Sequence, residues 1–414
     1  MNTHMNAHLG ADTGTPPVSP DPAKGPRLDW LDTLRIALIT LVVAHHCAQA
    51  YGPADWWYVE GGPRTGVLAT LSALDGTFFM SLFFFVSAYF VPASYARRGG
   101  RSFVRGRLLR LGVPVLAGAL TLVPGLMYAY YAHYRGYPDI SFPRYFADVY
   151  LGLGERPADW TGPSWPDLQF GHLWFIQNLL AYSLLYALCR LVARSVRRSP
   201  APVATPGPLP PRRVPGHLAP VALTVVLTGA TFAVRVRYPL DTWVPFLDFL
   251  QVEPARVPQY AAFFVLGILA RRGDWLDRLP ARTGWTWLWI GLAGAVLLFA
   301  VGADAPFFAA GGANGASLLW SGADSLLCVA LCTGLLVLFR EKARWNTRFS
   351  RSLAADSFAM YVIHVPIVVA LQFAVAGHGL PALGAFALVT ACAVPAGFAA
   401  AHALRRIPGF RRVL

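Results

Sequence analysis

The chain has 414 residues, 55% of them apolar and only 14% charged, with a mean hydropathy of +0.46. Long uncharged runs recur along it, which excludes a water-soluble globular protein and points to an all-α, polytopic integral membrane protein. The net charge of +14 alternates with the apolar runs instead of forming one patch, so it argues for an anionic bilayer as partner and against nucleic acid.

In chain order, residues 1–27 are rich in Pro, Gly, Thr and Asp and read as a disordered cytoplasmic tail, with no apolar core of a secretory signal. Ten spans follow, near 29–50, 67–93, 108–131, 172–193, 217–234, 257–270, 284–303, 315–339, 354–376 and 380–404. The sixth reads as starting either there or earlier, near Trp243. All of 28–404 is one transmembrane unit, with a Pro-rich cytoplasmic linker at 199–215 and a basic cytoplasmic C-terminus at 405–414. With both termini cytoplasmic, 27 of the 35 basic residues fall on the inner side, and only an even number of spans gives that asymmetry. Cys47, Cys189, Cys328, Cys332 and Cys392 lie in or beside spans and form no CxxC pair, so neither a disulfide framework nor a metal site is expected.

The first span carries Arg35 and His46 inside an otherwise apolar run. Ionisable groups at membrane depth are costly and mark function. At about 100° per residue, eleven residues close to within roughly 20° of whole turns, so the two share one helix face about 16 Å apart. His45 points roughly 80° away from Arg35 on the same arithmetic, and Asp32 lies on the Arg35 face and is placed to pair with it. Asp75 and Asp324 are further intramembrane acids, either partners for these cations or polar links between helices.

After the second span, Phe83–Phe90 leads into a basic loop and then Arg105, Arg107 and Arg110 ahead of Pro114. These arginines read as an ordinary inner-side anchor or as a phosphate site, since guanidinium presents a planar fork to phosphate oxygens. The fourth span opens Gly171-His172-Leu173-Trp174-Phe175 behind a long outer loop rich in acids and aromatics. Trp174 and His172 read as interfacial residues or, with that loop, as a surface suited to a sugar ring. In the ninth span Ser357, Tyr361 and His364 stand four and three residues apart on one helical face, just before Pro366.

In these landmarks the chain resembles the acyltransferase 3 family of integral-membrane O-acyltransferases, which modify surface polysaccharides, glucans and some secondary metabolites. The matching features are Leu-Asp-x-x-Arg with an Arg-x10-His spacing (Arg35, His46), Phe-Phe-x-x-Ser leading to Arg-x-x-Arg near a proline (Arg107, Arg110, Pro114), His-Leu-Trp-Phe (172–175) and Ser-x-x-x-Tyr-x-x-His-x-Pro (Ser357 to Pro366). They cover about 28–404. Ala88 stands where the family commonly has glycine, and Gln177 and Asn178 where some polysaccharide acetylases carry glutamate; the Gly-His-Leu-Trp-Phe form looks closer to the glucan-modifying branch. No appended extracytoplasmic esterase-like domain is expected.

The resemblance implies a cytoplasmic acyl-CoA donor, acetyl-CoA or succinyl-CoA, with its phosphates held by Arg105, Arg107 and Arg110. It implies His46 as general base on an acceptor hydroxyl and Arg35 as the cation that orients the donor or steadies the developing oxyanion. His172, Trp174, Ser357, Tyr361, His364 and Asp75 would support the site or the substrate. The acceptor would be a carbohydrate or a glycosylated small molecule, and the location the cell inner membrane. The alternative is a transporter or flippase of a sugar- or lipid-linked substrate, which would also need intramembrane charge; the broken helices or repeats usual in such proteins do not stand out.

Overall fold

A backbone inside lipid satisfies its N–H and C=O groups only by coiling into helices or closing into a barrel, and the computed structural model of this chain is built almost wholly of helices. It describes residues 28–52, 56–162, 164–196, 216–246, 250–302, 311–343 and 345–413. The expected tail at 1–27 and the linker at 199–215 lie outside the described residues.

The membrane helices are α1 (Asp29–Gln49), α2 (Gly66–Tyr89), α3 (Val113–Tyr134), α4 (Trp174–Val196), α5 (Leu218–Arg235), α6 (Val257–Gly273), α7 (Ala281–Val301), α8 (Gly315–Lys342), α9 (Arg348–Val375) and α10 (Ala382–Arg406). Nine segments of the described chain are long and apolar enough to cross a membrane, and α6 is the exception. The sixth expected span is therefore present as a helix of 17 residues, about 26 Å at 1.5 Å per residue. It runs parallel to α2: Arg256, just ahead of α6, lies beside Gly76, Gly267 abuts the Phe85 carbonyl, and Arg271 sits 5.5 Å over the Tyr89 ring. A Cβ at Gly267 would collide with α2 backbone, so the small residue sets the close approach of these two helices.

Trp243 does not begin this span. Val244–Phe246 and Leu250–Val252 form a short antiparallel hairpin, the one strand pair among the described residues. Just ahead of α6, which begins at Val257 as expected, lies a buried ion cluster. Asp324 of α8 accepts from Arg235 at the end of α5, from Arg256 Nη1 at 2.8 Å and from Gln259 Nε2 at 3.0 Å, while Arg235 Nη1 donates to Ser321 Oγ at 3.2 Å. Arg235 and Arg256, which are not among the 27 basic residues assigned to the inner side, are buried. At the opposite end Asp356 of α9 pairs with Arg405 (2.5 Å) and His402 (3.1 Å) of α10.

α1, α2, α8 and α9 form the centre, with Leu34, Val43, Leu82, Phe84, Cys328, Val329, Val365 and Val368 all buried. α4 and α5 are the least enclosed by protein and present Leu185, Leu188, Val225 and Val226 outward, as lipid-facing helices do. The outer loop between α3 and α4 packs on itself. Tyr137 stacks on Trp160 at 5.6 Å, Arg135 lies 4.3 Å over Trp160, and Asp167 takes Arg135 at 3.2 Å and the Tyr145 hydroxyl at 2.8 Å. Much of the acidic and aromatic content of that loop is therefore internal packing.

Candidate active site

α1 delivers His46 in its last turn, and the ring leaves toward α9. His364 Nε2 lies 3.2 Å from His46 Nδ1, with ring centroids 4.8 Å apart. His46 Nδ1 is also 2.8 Å from the Val42 carbonyl, and His364 Nδ1 is 2.7 Å from the Tyr361 carbonyl. A carbonyl only accepts, so both rings carry their proton on Nδ1. His46 Nδ1–H is shared between Val42 O and the lone pair of His364 Nε2. The consequence is a half-buried imidazole whose Nε2 lone pair has no hydrogen-bond partner among the described residues.

A third imidazole completes the row through a proline. Pro366 lacks an N–H, so the carbonyl four residues earlier, that of Val362, has no helical donor. His172 Nε2 donates to that carbonyl at 2.9 Å, and the Tyr361 hydroxyl donates back to the His172 carbonyl. His172 reaches this point from the short 3-10 turn Gly171–Leu173. Gly171 sits at φ +48°, and a Cβ there would meet the Tyr58 hydroxyl at 3.2 Å, so glycine is required. His172 packs edge-on against His364 at 5.2 Å, and its Nδ1 is buried without a partner.

Two residues the sequence did not flag hold the His46 turn in place. Gln372, two turns beyond His364 on α9, donates from Nε2 to the carbonyls of His46 (3.2 Å) and Cys47 (3.1 Å) and accepts from Trp57 Nε1 (2.7 Å). Trp57 lies against His46 with centroids 5.6 Å apart. A glutamine at membrane depth is a signal available in the sequence; Trp57 lies in the loop after α1 and carries none.

The other expected site residues divide into groups. Arg35 stays two turns from the start of α1 and pairs with Asp32 at 3.4 Å, as the helical phase predicts. His45 turns to α2, toward Asp75 (3.7 Å) and Phe79 (centroids 5.0 Å), so the neighbouring histidines face different helices. Ser357 turns back onto the Leu353 carbonyl at 2.9 Å, and among the described residues it makes no hydrogen bond to the imidazoles. Trp174 stacks on Tyr260 at 5.5 Å.

Arg105 and Arg110 are exposed, and Arg107 is half-buried over the Phe103 ring at 5.1 Å. A π-helical turn, Leu108–Gly112, separates Arg107 from α3, so Arg107 and Arg110 do not share an α-helical face. Beside Phe103 the buried ring of Tyr95 carries Arg190 at 5.9 Å and Arg194 at 5.4 Å. The arginines of two helices thus gather on one aromatic pair at the end of the bundle where α1 starts.

The molecule therefore has an open imidazole nitrogen deep in one end of a helical bundle, held by a second imidazole, and a guanidinium-rich surface at the other end. The family model described as Acyltransferase domain matches residues 28–402. No curated protein and no solved structure matches the chain. With nearly the whole chain matched, and the four landmarks falling on the elements that build this site, the chain belongs to the acyltransferase 3 family of membrane acyltransferases.

Proposed function

We propose that the protein transfers an acyl group, acetyl or succinyl, from acyl-CoA on the cytoplasmic side of the cell inner membrane to a hydroxyl of a carbohydrate or glycosylated acceptor. The observation that carries this reading is the fixed tautomer of His46: Nδ1–H is engaged twice and Nε2 is left open. An imidazole in that state can take a proton from a hydroxyl that approaches Nε2. The acceptor oxygen then attacks the thioester carbonyl carbon, the C–S bond breaks, and the proton on His46 Nε2 passes to the departing thiolate, giving an O-acyl ester and free CoA thiol. His364 supports the imidazolium form, because its Nε2 lone pair already accepts from His46 Nδ1.

The phosphates of the donor would lie on Arg105, Arg107 and Arg110, with Arg190 and Arg194 adjoining on Tyr95. Arg35, between that surface and His46, would guide the acyl chain and face the charge that develops on the carbonyl oxygen. The basic surface at the α1-start end fits a cytoplasmic placement of both termini. The Gly-His-Leu-Trp-Phe form at 171–175 favours a glucan-like acceptor.

The test is incubation of purified protein in lipid nanodiscs with acetyl-CoA or succinyl-CoA and a panel of soluble oligosaccharides and glycosides. Thiol release and base-labile acylation of the acceptor are read together. Acylated acceptor in the wild type, with Arg35→Ala raising the KM for acyl-CoA, is the expected outcome. Thiol-independent movement of a labelled glycoside across the bilayer, with no acyl transfer, would instead identify a transporter.

A further inference from the structure

Asp75 is an expensive residue for its position. It lies in the first half of α2, within a candidate membrane span, and is 3% exposed. A carboxylate at that depth is normally retained for a task or neutralised by a strong partner. Among the described residues no arginine or lysine pairs with it; its ion-pair partner is His45 Nδ1, at 3.7 Å. That distance is too long for a hydrogen bond, and both Asp75 Oδ2 and His45 Nδ1 are buried without one. As simple glue between α1 and α2 the arrangement is poor.

The opposite side of His45 defines its state. Gln49 Nε2 lies 3.0 Å from His45 Nε2, and an amide NH2 only donates, so His45 Nε2 accepts and its proton sits on Nδ1, facing the carboxylate. The His45 ring stands edge-on to the His46 ring, with centroids 5.4 Å apart. Four imidazoles thus run across the bundle, His172 to His364 to His46 to His45, and the row ends on Asp75. Among the described residues Asp75 is the one carboxylate at ion-pair distance from any of these four rings.

We propose that Asp75, acting through His45, is a positioning residue for His46 and supplies the negative charge that balances the imidazolium formed there during transfer. The inference rests on the base role of His46. In the resting molecule His46 is neutral and the pair beside it is slack. When His46 takes the acceptor's proton, a positive charge appears between two neutral rings in a medium of low dielectric. A buried carboxylate one ring away stabilises that charge, and the same charge is gone once the proton reaches the CoA thiolate. The stabilisation is therefore specific to the state in which the proton rests on His46, which affects turnover and leaves donor binding at the arginine surface untouched.

The experiment measures kcat and KM for acetyl-CoA by thiol release, with the oligosaccharide and glycoside panel as acceptors, on full-length protein in nanodiscs. Wild type, Asp75→Asn, Asp75→Glu, His45→Gln and His46→Ala are compared, each checked for monodispersity and thermal midpoint. The expected result for Asp75→Asn is a kcat lower by about tenfold with KM within about twofold, part of the 10²–10⁴ that a general base contributes. Asp75→Glu keeps the charge beside His45 Nδ1; it is expected to recover most of the loss. Should Asp75→Asn not insert, His45→Gln carries the same expectation.

Full kcat in well-inserted Asp75→Asn, or in His45→Gln, overturns the inference, as does an equal loss in Asp75→Glu and Asp75→Asn. If His46→Ala is inactive while Asp75→Asn is fully active, this inference alone fails. If His46→Ala keeps full turnover, the base assignment fails and this inference falls with it.

Discussion

A histidine serves as a base through a ring nitrogen whose lone pair is open, and here the Val42 and Tyr361 carbonyls, which fix the tautomers of His46 and His364, produce that condition. The His46 tautomer depends on Val42 O and on the Nε2 lone pair of His364. Replacing His364 by alanine removes the second acceptor and leaves the first, so we expect a partial loss of turnover, about tenfold, where His46→Ala loses about a hundredfold or more; initial-rate assays distinguish the two. Gln372→Leu strips Trp57 Nε1 of its acceptor in a buried setting and should lower stability by about 1–3 kcal/mol, read as a lower thermal midpoint together with reduced kcat. The pairing of Arg35 with Asp32 and the divergence of His45 from His46 were legible from helical phase alone. The capping of Val362 O by His172 was not: Pro366 announces a bare carbonyl, but its donor is 190 residues away in sequence.

At the scale of elements, the depth of Arg235 and Arg256 has one cause. Two guanidiniums and Gln259 converge on Asp324, and the chain ahead of α6 folds around that cluster instead of extending as helix. Charge-placement rules count Arg235 and Arg256 as loop residues because such rules see sequence distance from a span, not burial against an acid on another helix. Removing the acid by Asp324→Asn leaves buried Arg235 without its counter-charge and Arg256 with only Glu253 at 3.8 Å, and we expect a loss of about 3–5 kcal/mol, visible as a lower unfolding midpoint.

The outer loop makes a different prediction. Burial raises the Asp167 carboxyl from near 3.8 to about 6, against the opposing pull of Arg135 and the Tyr145 hydroxyl. The folded state therefore holds this proton more tightly than the unfolded state. The stabilising contribution is complete below about pH 3.8 and is lost as the pH rises through about 6. Thermal midpoints measured from pH 4 to 7 should show that component in the wild type, and Asp167→Asn should lack it. The sequence offered this loop as an acidic, aromatic surface for sugar; the folded loop spends Tyr137, Trp160, Arg135 and Asp167 on one another.

For the whole molecule, the alternation of apolar and basic segments predicted the class and the positions of the ten helices, because each span is decided locally by length and hydropathy. The assembly of the site was only partly legible, since α1, α2, α9 and the turn before α4 meet through contacts that no single segment reveals. The bundle places an open imidazole toward one end and arginines on aromatic rings at the other, an arrangement suited to chemistry between substrates arriving from opposite sides. The most direct test of that account is the turnover of acetyl-CoA by His46→Ala and His45→Ala beside wild type, all inserted in nanodiscs at matched thermal midpoints. The account predicts that His46→Ala falls by about a hundredfold or more and His45→Ala by about tenfold. Full turnover in His46→Ala, or a loss confined to His45→Ala, would contradict it.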